Sequence, residues 1–257
     1  VKARHWVLLR GLVRQHRHWE QFPQLFQQAF PEAELHLLDL PGNGDLCHCA
    51  SPVHIRGMVD VTRTRLQADG VREPVNLLAI SLGGMVSIEW MKRYPDEINA
   101  AVIINSSLRG MGTLFDRLRP ENYPAILKTF FLQRSIEAKE RLILGISSNL
   151  YPDKAQLAQT WAQYASEQPT STKNAVRQLL AATRYRAPEQ IPHNRVLLLK
   201  SIQDRLVNPV CTERMAEQWG WPVRVHPQAG HDLPLDDAEW VIKQIQNWIL
   251  QPGKNVT

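Results

Sequence analysis

An α/β domain on a mostly parallel sheet is what this sequence predicts, and three observations predict it. Short apolar runs alternate with amphipathic segments along most of the 257 residues. Those runs lack the in–out alternation of a half-exposed sheet, as strands covered by helices on both faces do. At Ser81 an apolar run passes abruptly into an amphipathic one, the pattern of a strand feeding a helix through a sharp turn. Bulk properties agree. A hydrophobic content of 44% with 21% charged residues excludes a disordered or fibrous chain. No apolar run approaches the ~18 residues of a membrane helix, and the opening run is too short for a signal sequence.

In chain order, strands are expected at 6–9, 35–38, 75–80, 100–104, 196–199 and 223–225. The first ends at Arg10, and 100–104, Ala-Ala-Val-Ile-Ile, is the longest apolar run. Helices are expected at 19–30, 53–68, 82–94, 209–219 and 238–250 from their apolar periodicity. Gly70 and Gly220 fall where C-caps belong, and Pro95 follows the helix ending near Tyr94. Between Arg109 and Pro188 the alternation stops. That stretch offers helices at 125–132, 136–146, 154–165 and 172–185, with Asp153 and Ser171 as N-caps. A helical block inside a β/α rhythm reads as an insertion, so the expected organisation is a core of 1–108 and 189–257 carrying a helical cap at 109–188.

The chemistry-bearing stretch is Leu77-Leu78-Ala79-Ile80-Ser81-Leu82-Gly83-Gly84. A serine on so sharp a turn holds a strained backbone, and the residues two before and two after it must be small. Of the eleven serines, Ser81 alone has Gly or Ala at both places, Ala79 and Gly83. A serine hydroxyl needs a base, and the base an orienting carboxylate. Asp204 follows the run 196–199, and His231 lies on a loop beyond 223–225. Each would stand past the C-terminal end of a strand, where chemistry gathers in open parallel sheets. Asp204 also suits a turn or helix cap before Asn208-Pro209, Asp39 is the reserve acid, and His226 is the rival base. The oxyanion donors are expected to be the backbone N–H groups of Leu82 and Leu12, with Gly11 allowing the turn that aims the second.

With these pieces assembled, the chain resembles the α/β-hydrolase superfamily. Leu9-Arg10-Gly11 with His18-Trp19 looks like its oxyanion loop, and Asp39-Leu40-Pro41-Gly42-Asn43-Gly44 like its Asp-Leu-Pro-Gly-x-Gly loop. Ser81, Asp204 and His231 fall on its triad positions, and the helical insertion lies where the family places its cap. Among subgroups the chain is similar to the small cap-bearing esterases that demethylate pimeloyl esters. Arg10 stands where the family often has His, and Ala79 where Gly is commoner; neither change removes a catalytic group. A serine nucleophile rather than Asp argues against dehalogenase and epoxide hydrolase chemistry.

The expectation is therefore a serine hydrolase of a carboxylic ester or thioester, with Arg10, Trp19, Arg117 and Arg119 as substrate-binding candidates. The alternatives are a C–C bond hydrolase or lyase using the same triad, or a catalytically silent binding protein. No cofactor and no metal are expected. Cys47-x-Cys49 with His48 and His54 lacks a second ligand set. No polybasic stripe points to nucleic acid. Three cysteines make no disulfide framework, which suits a reducing, cytoplasmic setting. The net charge of +5 is unevenly placed: residues 109–188 hold twelve Lys and Arg against six Asp and Glu. Either this is a solvated helical surface, or Arg117, Arg119, Arg134 and Arg141 steer an anionic or carrier-bound substrate.

Overall fold

The computed structural model describes residues 4–127, 135–190, 192–193 and 195–250. Six strands form one sheet: β1 (His5–Leu9), β2 (Glu34–Leu38), β3 (Val75–Ile80), β4 (Ile98–Ile104), β5 (Val196–Ser201) and β6 (Val223–His226). All neighbouring pairs are parallel, in the order β2-β1-β3-β4-β5-β6. Eleven α-helices are described. Their ranges are α1 (Phe22–Ala29), α2 (Ile55–Ala68), α3 (Leu82–Arg93), α4 (Leu114–Arg117), α5 (Tyr123–Leu127), α6 (Ile136–Ser147), α7 (Lys154–Glu167), α8 (Thr172–Arg184), α9 (Val210–Trp219), α10 (Leu233–Asp236) and α11 (Ala238–Leu250).

Successive strand residues feed two separate cores. Val7, Leu9, Leu77, Ala79, Ala101, Ile103 and Leu198 pack with α2, α3 and α9. Leu8, Leu78, Ile80, Val102, Ile104, Leu197 and Leu199 pack with α1 and α11 on the other face. Strand pleating sends neighbours to opposite faces, so a sheet helical on both sides needs apolar residues at every position. That is the physical origin of the unbroken apolar runs.

β3 has the expected range, and the other five strands extend theirs by a residue or two. The helix expected at 19–30 is shorter. His16–Trp19 form a 3-10 turn, Glu20 turns left-handed at φ 50, and α1 begins only at Phe22, with proline in its first turn. The Glu20 carboxylate accepts a 2.6 Å bond from Trp161 Nε1 on α7, a contact no local pattern reports. Gly70 and Gly220 do take left-handed conformations, at φ 87 and 67.

Helices α4 to α8 all lie in the connection between the adjacent strands β4 and β5. Its two ends are stitched together: Arg109 N donates to Tyr185 O at 3.0 Å and Ala187 N to Arg109 O at 2.9 Å. Asp153 and Ser171 cap α7 and α8 by accepting from Gln156 N and Asn174 N. The short α4 was not anticipated, although Thr113 and Asp116 form a capping box around it. Of the helix expected at 125–132, residues 128–132 lie outside the described ones.

Candidate active site

β3 ends at Ile80, and Ser81 takes φ 56 and ψ −115 before α3 starts at Leu82. A non-glycine residue there carries strain of roughly 1–3 kcal/mol, held in place by its surroundings. The Ser81 amide donates to Ile104 O at 2.9 Å, and its carbonyl accepts from Ser106 Oγ at 2.7 Å. The demand for a small residue two places on comes from β1. A Cβ on Gly83 would lie 2.5 Å from the Leu9 carbonyl oxygen and 2.8 Å from that of Arg10. Gly11 packs more loosely against the same turn, where a Cβ would stand a tight 3.2 Å from Ser81 Cβ. The positive φ of this loop falls on Val13, at φ 58.

Past β5, Asp204 is buried and splits its carboxylate between two jobs. Oδ1 accepts from the amides of Leu206 and Val207 at 2.8 and 2.9 Å, and Oδ2 meets His231 Nδ1 at 2.7 Å. The loop amides thus aim the carboxylate, and the carboxylate aims the ring. Burial works against a charged His231, but the charge and hydrogen bond of Asp204, with the charge of Asp232, outweigh it. The imidazole is held above its ordinary value. Asp39 is engaged elsewhere, by His16 and the Asp45 amide, and His226 pairs with Asp237.

Ser81, Leu82, Leu12 and His231 open into one cavity of about 360 Å³. Its remaining wall is largely aliphatic, with Leu118, Ile126, Ile143, Ile146, Val176 and Leu179 supplied by the β4–β5 connection. Leu12 follows β1, Ser81 and Leu82 follow β3, and His231 follows β6, all beyond C-terminal strand ends, the edge where an open parallel sheet leaves room for a ligand.

The substrate-binding candidates fall differently. Arg10 lines the cavity, but its guanidinium grips Asp232 and lies 4.9 Å over the Trp19 ring. Trp19 is core, 2% exposed and packed on Phe22, not a cavity residue. Arg117 lines the cavity while donating to the carbonyls of Ala182 and Thr183, so its charge sits on the C-terminal end of α8. Arg119 does not line the cavity; it donates to the Asp204 carbonyl at 2.9 Å. Arg141 pairs with Glu137 on its own helix, and Arg134 lies outside the described residues.

Sequence reasoning missed Asn105. At φ 45 just past β4, it donates to the His231 carbonyl at 2.8 Å and accepts from Ser201 N at 2.9 Å. An asparagine closing an apolar run was the available signal, because Asn tolerates left-handed backbone. Two groups bring His and carboxylate ligands within metal-binding reach among the described residues: His5, Glu34 and His36, and His16, Asp39 and Asp45. Both lie apart from the Ser81 cavity.

Residues 6–244 match the sequence profile described as the alpha/beta hydrolase family. The chain belongs to that family. Within it, the chain is 30% identical over 92 residues to a pimeloyl-[acyl-carrier protein] methyl ester esterase of Chromobacterium violaceum, a match covering 36% of the chain and 34% of that protein. It is 33% identical over 70 residues to a homoserine O-acetyltransferase of Pelobacter propionicus, covering 27% of the chain and 19% of the relative. The matches therefore span well under half the length of these curated relatives. A meta-cleavage product hydrolase of Pseudomonas fluorescens superposes with a TM-score of 0.74 at 16% identity, covering 96% of this chain and 91% of that one. No described helix is long and apolar enough to cross a membrane.

Proposed function

We propose that this hydrolase cleaves a carboxylic ester or thioester through an acyl-enzyme on Ser81. The observation that supports it is the joint opening of Ser81 and the Asp204-bound His231 into one apolar cavity. Because Nδ1 of His231 is held by Asp204, Nε2 is the nitrogen left to take the Ser81 proton. Ser81 Oγ then bonds the substrate carbonyl carbon, and the negative oxygen is met by the Leu82 and Leu12 amides. Neither amide has another acceptor among the described hydrogen bonds. His231 returns the proton to the departing alkoxide or thiolate, and water, deprotonated by the same ring, releases the acid.

The β4–β5 connection serves as a cap whose aliphatic residues hold the acyl group. A cavity of about 360 Å³ sits at the small end of ligand sites, which favours a compact acyl group. The deciding experiment is labelling by a fluorophosphonate probe, with Ser81→Ala as control, followed by p-nitrophenyl esters of graded length. Absence of labelling in the folded protein, or equal labelling of Ser81→Ala, removes the reading. The C–C hydrolase alternative draws on the fold shared with the meta-cleavage product hydrolase. It predicts labelling at Ser81 without turnover of any ester in the series.

A further inference from the structure

We infer that the cap holds the oxyanion loop in its working conformation through Gln178 of α8, a positioning residue for the Val13–Arg14 segment that follows Leu12. This rests on the hydrolase reading above. The loop's own sequence does not favour the shape it takes. Val13 is β-branched, yet stands at φ 58, a region such residues seldom occupy. The loop closes one turn bond of its own, Arg14 N donating to Gly11 O at 3.3 Å, and contacts from outside the loop add to that hold.

Gln178 is fully buried, and its Oε1 accepts the Val13 N–H at 2.9 Å. Its Nε2 turns to Asn43 Oδ1 at 2.8 Å, with Ser51 Oγ at 3.1 Å and Pro41 O at 3.2 Å also within reach. Asn43, equally buried, sends Nδ2 to the Arg14 carbonyl at 3.0 Å. The Val13 amide, Gln178, Asn43 and the Arg14 carbonyl thus form a closed ring around one stretch of backbone. Two more cap helices hold the Arg14 side chain. Glu140 of α6 pairs with it at 2.9 Å, and the Trp161 ring of α7 lies 4.7 Å beneath its guanidinium.

Oxyanion donors accelerate a reaction only if they are already aimed when charge develops. A loop whose strained residue is held by the cap keeps that aim only while the cap is seated. Catalytic competence is then tied to cap seating through Gln178, and not only to whether the cavity is covered.

The test is Gln178→Met, which keeps the length of the side chain and removes its hydrogen bonds. For a p-nitrophenyl ester, kcat falls at least about tenfold while KM stays within about twofold. Affinity for a trifluoromethyl ketone, whose adduct with Ser81 carries the oxyanion, falls in step with kcat/KM. Amide hydrogen exchange across residues 11–15 speeds up, with the sheet unchanged. Adding Val13→Gly restores part of kcat, because glycine holds positive φ unaided. Gln178→Glu, which keeps an oxygen for the Val13 amide, falls between wild type and Gln178→Met, and carries the exchange measurement if the methionine variant does not fold. An unchanged kcat, a loss confined to KM, unaltered exchange at 11–15, or a double variant no faster than Gln178→Met overturns the inference. If wild type resists the fluorophosphonate, the hydrolase reading has failed, and exchange at 11–15 still decides the Gln178 contact.

Discussion

The Arg10 guanidinium and the Asp232 carboxylate form a buried two-pronged pair one residue from His231, with Nη1 3.0 Å from Oδ1. Their side chains are 3% and 6% exposed, so neither charge has water to fall back on. Each also acts on the neighbouring imidazole in the opposite sense: Asp232 favours its protonated form and Arg10 opposes it. Arg10→Met is expected to move the acid limb of kcat/KM to higher pH, and Asp232→Asn to move it lower. Each single variant leaves the other charge buried and unpaired, destabilising the fold by about 3–5 kcal/mol. Shifts of the same sign in the pH profiles of the two variants would show that the pair does not tune His231.

In the wild-type protein, burial works against a charged His231, but Asp204 and Asp232 hold it above the ordinary 6.5. The imidazole must be neutral to take the Ser81 proton, so activity falls as pH is lowered through this raised value. The acid limb is accordingly expected above pH 6.5. Asp204→Asn removes the charge that raises it, moving the limb down, and lowers kcat by about 10³–10⁴ through loss of the correct tautomer. A limb that stays in place in Asp204→Asn would refute the assignment of Asp204.

Ser81 stands in a strained backbone conformation, and the strain is measurable. Both Ser81→Gly and Ser81→Ala abolish probe labelling, but only glycine accepts φ 56 and ψ −115 without penalty. Ser81→Gly is therefore expected to exceed Ser81→Ala in stability by about 1–2 kcal/mol in urea unfolding. Equal midpoints would mean that the elbow is relaxed.

Asn105 links the C-terminal ends of β4 and β5 to the His231 backbone. Asn105→Ala strands the Ser201 amide and the His231 carbonyl in a buried site, at a cost of about 2–3 kcal/mol. It also loosens the ring that Asp204 must hold, so kcat should drop more than KM rises. A purely structural Asn105 would lower the melting temperature and leave kcat intact at 25 °C.

Strand positions and the Ser81 elbow were legible because their causes are local. A strand covered on both faces must be apolar throughout, and a sharp turn excludes Cβ atoms near it. The partners of the arginines were not legible for the converse reason. Arg119 reaches Asp204, 85 positions away, and Arg117 reaches the end of α8, 65 and 66 positions away. Both look in the sequence like surface charge on a basic insertion. The broken helix at Glu20 has the same origin, since its partner Trp161 lies 141 positions on.

By itself, then, the sequence determined the order of the strands and of the longer helices, the place of the helical insertion, and Ser81, Asp204 and His231 beyond the ends of their strands. Periodicity and steric rules act within a few residues, and a chain carries them wherever it is read. Only the tertiary structure decided that Gly83 must be small because of the β1 backbone, that Arg10 belongs to Asp232, and that Gln178 reaches out of the insertion to the Val13 amide. Buried polar groups need partners with the right geometry. Which partner each one finds depends on how distant segments pack, and that is settled only when the chain folds.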